Sequence, residues 1–408
     1  MTVQNGKEKR RQRSDTVIHV ATLNTLNSSS GQGHRLLRLI PGMSEICRIR
    51  LLAPEIHESN INIAALGHET LSVDAGLDAF RSNPFSPAFI RPFLALLRQL
   101  RRFARDAKVL YTDLPLVMIC ARLAVPSVPR VVEVNGILSE EWLNKGKISD
   151  KSNIRYRVMR AVESFACRGA RCLVAVSPGI RDYLVSEFGV RPERIEVIPN
   201  GIDERLLEAH QNVSIDASET PIRSVALFIG SFRSWHGIHN LIRSMPFALE
   251  LSPDLCLVLV GDGPTRAESE GLVAELGLGD SIVFTGHQTP EQVLKHLASA
   301  HVCVYYPDYK VANYGFMGDP IKLREYMAAG KPIVTIQLPN FAADVESHRC
   351  GLVVRPDHRE FGKAIAELVH DKELAKVLGN NGRNSGMKSG WKSTANRIVT
   401  LIDGLLEE

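Results

Sequence analysis

Short apolar runs rich in β-branched residues recur at 17–21, 49–53, 61–66, 109–111, 131–134, 172–176 and 195–198. A second series occupies 225–229, 257–260, 282–284, 302–305, 333–336 and 352–354. Runs of this length without polar alternation read as strands buried on both faces, as in parallel sheets. Between them the apolar spacing shifts to three and four, predicting crossover helices over 239–251, 266–276, 290–298, 321–329 and 360–369. In the first half, a helix expected over 92–107 gathers Phe93, Leu96, Leu97, Leu100 and Phe103, while Arg98, Arg101, Arg102 and Arg105 make its remaining surface basic. A last amphipathic stretch, 391–406, has a helical period that assigns it to neither half.

The fold class is therefore α/β, with two Rossmann-like parallel-sheet domains. A chain of 408 residues exceeds one comfortable core, and the polar stretch 208–221 suits an interdomain connection. The expected division is a disordered basic tail at 1–13, a first domain at 14–205, a linker at 206–222, a second domain at 223–386 and a terminal segment at 387–408.

Apolar residues make up 44% of the chain and charged residues 23%, the balance of a soluble globular protein. The formal charge is +4, but residues 7–13 alone carry five positive charges and one negative one, so the remainder is balanced. That argues against a nucleic-acid binder. No apolar run reaches about 18 residues and no signal-peptide core follows the basic tail, so a cytoplasmic location is expected. The arginine-rich helix, helped by Phe85 and Phe89, offers a peripheral contact with the inner face of a membrane; a solvated helix face is the simpler account. Cys47, Cys120, Cys167, Cys172, Cys256, Cys303 and Cys350 are scattered, and His19, His34, His57 and His68 lack close ligand spacing. Neither disulfides, nor a metal, nor a cofactor is expected.

Candidate chemistry lies in the loops. The segment Gly315-Phe-Met-Gly-Asp-Pro-Ile-Lys-Leu-Arg-Glu-Tyr-Met-Ala-Ala-Gly-Lys-Pro332 opens a helix with Pro320 in its first turn and closes it at Gly330. Lys322 and Glu325, three apart, either form a surface pair or serve a ligand at the helix start. Gly230-Ser-Phe-Arg-Ser-Trp-His-Gly237 follows a predicted strand and offers Arg233 and His236 to an anion. Gly261-Asp-Gly-Pro264 follows the next strand on the same sheet edge, where open α/β sheets bind ligands. Residues 25–34 form a polar loop whose Gly31 and Gly33 are followed by Leu36, so it is no dinucleotide fingerprint. In Val132-Glu-Val-Asn-Gly136, Asn135 can hydrogen-bond a hydroxyl but cannot act as a base near neutral pH, and Glu133 reads as a structural contact.

These segments, with Phe284-Thr-Gly-His287 and Pro199-Asn-Gly-Ile-Asp203, strongly resemble the family 4 glycosyltransferases of GT-B fold over most of the chain, most clearly from 174 to 356. The resemblance implies two Rossmann-like domains around a central cleft, with the terminal helix crossing back to the first domain. It implies transfer of a hexosyl unit from a nucleoside diphosphate sugar to a hydroxyl of a glycan, lipid-linked or small-molecule acceptor, with anomeric retention and without a bound metal. Donor-binding residues would be Gly31, Gly230, Arg233, His236, Gly261, Gly263, Lys322, Leu323 and Glu325, with Glu325 on the ribose hydroxyls; Arg233, Asn135 and Asp319 would serve catalysis.

Three positions depart from the family pattern. Met317 stands where a glutamate is usual, leaving Asp319 to contact sugar hydroxyls. His236 replaces a common lysine, so a phosphate contact there would depend on pH. Asn135 replaces a histidine and would orient rather than transfer a proton. Two other functions compete: nucleotide-sugar epimerisation, which can use a related two-domain fold, and noncatalytic nucleotide-sugar binding, which Met317 and Asn135 would permit.

Overall fold

The computed structural model describes residues 16–23, 31–54, 68–70, 90–113, 115–144, 148–202, 223–308, 318–338, 341–386 and 389–407. Among them lie two wholly parallel sheets. The first comprises β1 (Val17–Ala21), β2 (Arg48–Ala53), β3 (His68–Thr70), β4 (Val109–Thr112), β5 (Arg130–Val134), β6 (Cys172–Ala175) and β7 (Ile195–Val197), in the order β3-β2-β1-β4-β5-β6-β7. The second comprises β8 (Ser224–Ile229), β9 (Leu255–Val260), β10 (Ile282–Gly286), β11 (Val302–Tyr305), β12 (Ile333–Ile336) and β13 (Gly351–Val354), in the order β10-β9-β8-β11-β12-β13. The apolar runs become these strands because both faces are covered: β4, β6, β11 and β12 are buried at every residue.

Helices α1 (Gly31–Ser44), α2 (Ile90–Phe103), α3 (Pro115–Ala124), α4 (Leu138–Asn144), α5 (Ile154–Gly169) and α6 (Pro178–Ser186) belong to the first sheet. Those of the second are α7 (Ile238–Leu249), α8 (Arg266–Glu275), α9 (Pro290–Ser299), α10 (Ile321–Ala328), α11 (Phe341–Ser347), α12 (His358–His370) and α13 (Lys372–Gly386). The terminal helix α14 (Trp391–Glu407) packs on α1: Trp391, Ala395, Ile398 and Ile402 join Ile18, Leu36 and Ile40 in one apolar cluster. Thr16 Oγ1 donates to Asp403 Oδ1 at 2.7 Å, and Arg397 reaches Glu196 on β7 at 3.0 Å. Its apolar stripe is thus satisfied by the first half, which the helical period could not decide.

Several expectations change. Gly31, Gly33 and His34 belong to α1 rather than to a loop. The helix expected over 92–107 runs from Ile90 to Phe103, and Pro320 is the residue before α10 rather than within it. β3 and α13 carry no clear periodic signature and were not anticipated. The tail 1–13, most of the linker 206–222, the strand expected at 61–66, and Phe85, Phe89 and Met317 lie outside the described residues.

Each sheet reverses its order once, between β1 and β4 and between β8 and β11. At such switch points neighbouring loops diverge and leave a crevice at the carboxyl ends of the strands. The two carboxyl edges meet: a Cβ added to Gly318 would overlap the carbonyl oxygen of Asn135 and approach Val176.

Candidate active site between the two sheet edges

On the second sheet the site is built largely from backbone. The loops after β8 and β9 interlock, with Gly230 N donating to Val260 O at 2.9 Å and Phe232 N to Asp262 O at 2.8 Å. Thr265 closes the joint by donating to Phe232 O through both its amide and its hydroxyl, each at 3.1 Å. Gly261 has φ +131°, and a Cβ there would overlap Gly230 O, so only glycine fits. A Cβ on Gly263 would lie 2.6 Å from Phe232 O. Across the switch point, Asp308 N donates to Trp235 O at 3.2 Å, locking the β8 loop to the β11 loop.

Under this lattice lies Lys322. Its Nζ is buried without a hydrogen-bond partner, 4.4 Å from the ring centre of Phe228 and 4.7 Å from that of Tyr305. A Cβ on Gly230 would come within 2.7 Å of it. Burial lowers the ammonium from 10.5 to about 7, only partly opposed by Glu325. Aromatic faces attract the cation, but they do not replace the hydrogen bonds lost with water. Glu325 follows on the same helix face and is half-buried, while Leu323 points into the core.

His236 behaves differently from the expectation. Its Nδ1–H donates to Ser231 O, leaving Nε2 as an acceptor. Burial, then the charges of Lys322 and Arg233, push its pKa down to about 3. Burial thus disfavours a charged His236 ring near neutral pH, and it is the Lys322 ammonium that burial brings to about 7. An accepting nitrogen suits a hydroxyl rather than a phosphate oxygen. Arg233 is exposed, with its guanidinium 6.0 Å from the Trp235 ring centre, and faces solvent at the same loop.

The first sheet presents side chains instead. Asn135, just past β5, donates from Nδ2 to Glu133 Oε1 at 2.9 Å. Because a carboxylate only accepts, the amide is oriented, and Asn135 Oδ1 is the end turned away from Glu133. Glu133 is itself buried; its Oε2 receives the Tyr111 hydroxyl and lies 2.9 Å from Arg35 Nε. Burial and then Glu133 raise the Tyr111 phenol far above its usual range, keeping it a donor. Gly31 is the first residue of α1, so that helix start lies at the carboxyl edge of β1, where amide groups favour an anion.

Asp319 is engaged elsewhere. Its carboxylate pairs with Arg324 (Nη2 to Oδ1 3.0 Å) and accepts the amide of Asn200 at 2.7 Å. Burial alone would lower the Arg324 guanidinium, but Asp319 and Asp344 outweigh it and hold the group charged. The direct sugar contact expected of Asp319 gives way, in this arrangement, to holding α10 against the first domain. Sequence reasoning missed Arg35 and Arg324. One signal was present: Glu133 interrupts an otherwise apolar buried strand, and a carboxylate there requires a cation from elsewhere in the fold.

Among the described residues no cluster of histidine, cysteine or acidic side chains could hold a metal ion. No described helix is long and apolar enough to cross a membrane.

The family of glycosyl transferases group 1 matches residues 216–385, and glycosyltransferase family 4 matches residues 30–206. The chain belongs to the family 4 glycosyltransferases and has the GT-B fold. It is 26% identical over 242 residues to the MMP alpha-(1->4)-mannosyltransferase of Mycolicibacterium hassiacum, covering 57% of this chain and 53% of that protein. The chain spans about half the length of several curated relatives it matches. In fold it resembles sucrose-phosphate synthase from Thermosynechococcus elongatus, with a TM-score of 0.73 at 19% identity, covering 96% of this chain and 99% of that one. It also resembles Anabaena HepE in complex with UDP, with a TM-score of 0.70 at 15% identity, covering 95% and 100%.

Proposed function

We propose that this protein transfers a hexosyl unit from a nucleoside diphosphate sugar, held on the second sheet's edge, to an acceptor hydroxyl presented by the first. The observation that carries this reading is the buried, unpartnered Lys322 ammonium beneath the Gly230–Gly261 joint, a cation in need of an anion. The diphosphate meets Lys322, Arg233 and the start of α10; Glu325 takes the ribose hydroxyls; the start of α1, at Gly31, faces the phosphates from the other side. In this reading donor and acceptor belong to separate domains, 14–205 and 223–386, with 206–222 as the connection between them.

In the reaction the acceptor oxygen bonds to the anomeric carbon as the bond to the diphosphate oxygen breaks. The leaving phosphate takes up the acceptor proton, and Lys322 and Arg233 stabilise the charge that develops there. Asn135 Oδ1 accepts a hydrogen bond from a hydroxyl and fixes its approach. Attack on the face of departure retains the anomeric configuration. Ligand-detected NMR with a set of nucleotide sugars, followed by turnover with candidate acceptors, tests the reading. A transferred sugar with retained configuration is expected. Epimerised donor without acceptor, binding without turnover, or an inverted linkage would each overturn it.

The acceptor side also suggests where a lipid-linked substrate would be met. Helices α2, α3 and α5 lie side by side, and their exposed Ile90, Leu94, Leu123, Val162 and Phe165 are interspersed with Arg91, Arg98, Arg101, Arg102, Arg155, Arg157 and Arg168. The one carboxylate on these helices, Glu163, is buried. We propose that this face rests on an anionic membrane. Flotation with anionic vesicles is expected to fail when Arg98, Arg101, Arg102 and Arg105 become Glu; unchanged flotation would exclude the contact.

A further inference from the structure

The two sheet edges are joined by one chain of buried polar groups. Asn200 lies three residues beyond β7, where the chain leaves the first sheet. Its backbone N–H donates to Asp319 Oδ2 at 2.7 Å, and its side-chain Nδ2 to the carbonyl oxygen of Asp319 at 2.6 Å. From the other side, Arg35 Nη1 donates to Asn200 Oδ1 at 2.9 Å and Nη2 to Ile198 O at 3.0 Å. The side chain must therefore accept from a guanidinium and donate to a carbonyl at once. Among short side chains asparagine does both; aspartate has no donor and an apolar residue has neither.

Each end of this chain reaches a group given a role above. Arg35 lies against Glu133, which orients Asn135. Asp319 holds Arg324, and Arg324 sits within the first turn of α10 between Lys322 and Glu325. Every member is shielded: Arg35 is 1% exposed, Glu133 1%, Asn200 6% and Arg324 7%. In such surroundings an unmet donor or acceptor is costly, so loss of one partner penalises the next.

We propose that Asn200 is a positioning residue: by clasping Asp319 while bound to Arg35, it sets the register of α10 against the Asn135 loop, and so of donor against acceptor. This rests on the transfer reading for its effect on catalysis, but its geometric part does not. The other crossing nearby, Ile202 paired with Ser389 and Trp391 through backbone bonds of 2.8 and 3.2 Å, carries no side-chain specificity and acts as the pivot. Asn200 adds the restraint that selects one angle about it.

Asn200→Asp separates the two arms. It keeps, and charges, the contact to Arg35, while a carboxylate oxygen now faces the Asp319 carbonyl. Spin labels at Asp182→Cys and Lys295→Cys, both exposed sites on opposite domains, report the interdomain distance; the seven native cysteines are buried and stay unlabelled. Asn200→Asp is expected to broaden the distance distribution of the ligand-free protein, with Asn200→Ala doing the same more weakly. Turnover is expected to fall on the order of tenfold or more, since small misplacements of reacting groups have that effect. Binding of UDP or GDP, whichever the wild type takes, is expected to stay within about threefold of it. Distance distributions that superimpose on the wild type would overturn the proposal whether or not the protein transfers sugars. So would loss of folding in both variants, which would mark Asn200 as a core residue. Distances that broaden while turnover is unchanged would overturn the catalytic part alone.

Discussion

The two edges of the cleft solve the same problem with different materials. On the second sheet's edge, the joint of Gly230 and Gly261 is made of backbone, and its geometry excludes side chains. On the first sheet's edge, Asn135 is held by Glu133 of β5, which is held in turn by Arg35 of α1 and Tyr111 of β4. A backbone lattice fixes a surface that suits the invariant diphosphate of the proposed donor. A side-chain network can be altered residue by residue, which suits the proposed acceptor edge, but it concentrates charge in the core.

That contrast predicts where each edge is fragile. Glu133→Gln should have the largest effect, because Arg35 would be left as a buried charge without its carboxylate. A loss of roughly 3–5 kcal/mol is expected, confined to the unfolding transition of the first domain in a denaturant titration. A loss within error of zero would show that water already reaches Arg35. Gly261→Ala should destabilise the second domain by roughly 2–4 kcal/mol, since its Cβ would overlap Gly230 O at a left-handed φ. If the variant melts like the wild type, the joint has room for a Cβ and is looser than the close approach of Gly261 to Gly230 O implies.

Lys322→Gln tests the chemistry rather than the scaffold. Burial lowers its pKa from 10.5 to about 7. Between these values the folded protein binds fewer protons than the unfolded chain, so this group's contribution to stability rises with pH across that window. Its cost is fully present below about 7. A bound diphosphate favours the charged form and should draw in about one proton per site at pH 8, measured by calorimetry in buffers of different ionisation enthalpy. Lys322→Gln is expected to abolish that uptake and weaken UDP or GDP binding by roughly ten- to a hundredfold. Proton uptake that persists would return the role to another group. Glu325→Ala should act least, weakening the same nucleotide by about tenfold with the melting transition unchanged. Unchanged affinity would remove Glu325 from the ribose.

Much of this was legible in advance, and for a physical reason. Buried parallel strands announce themselves as apolar runs, and a backbone joint announces itself as glycine at strand ends, because both are local demands on residue type. Apart from β3, the described strands from Val17 to Val354, the loops at Gly230 and Gly261 and the helix carrying Lys322 and Glu325 all fall in this class. His236 shows the limit: its identity was plain, but its charge state depends on burial in the folded chain and then on Lys322, which lies 86 residues away in sequence.

The chain's own pattern determined two parallel-sheet halves with helical crossovers, and placed the loops at Gly230 and Gly261 on one sheet edge. Only the tertiary structure decided that α14 covers α1, that His236 is neutral while Lys322 carries the labile charge, and that Asp319 clasps Asn200. Pairings such as Arg35 with Asn200, 165 positions apart, leave no periodic trace. They arise where strands, helices and linker converge, and burial then makes each partner indispensable to the other.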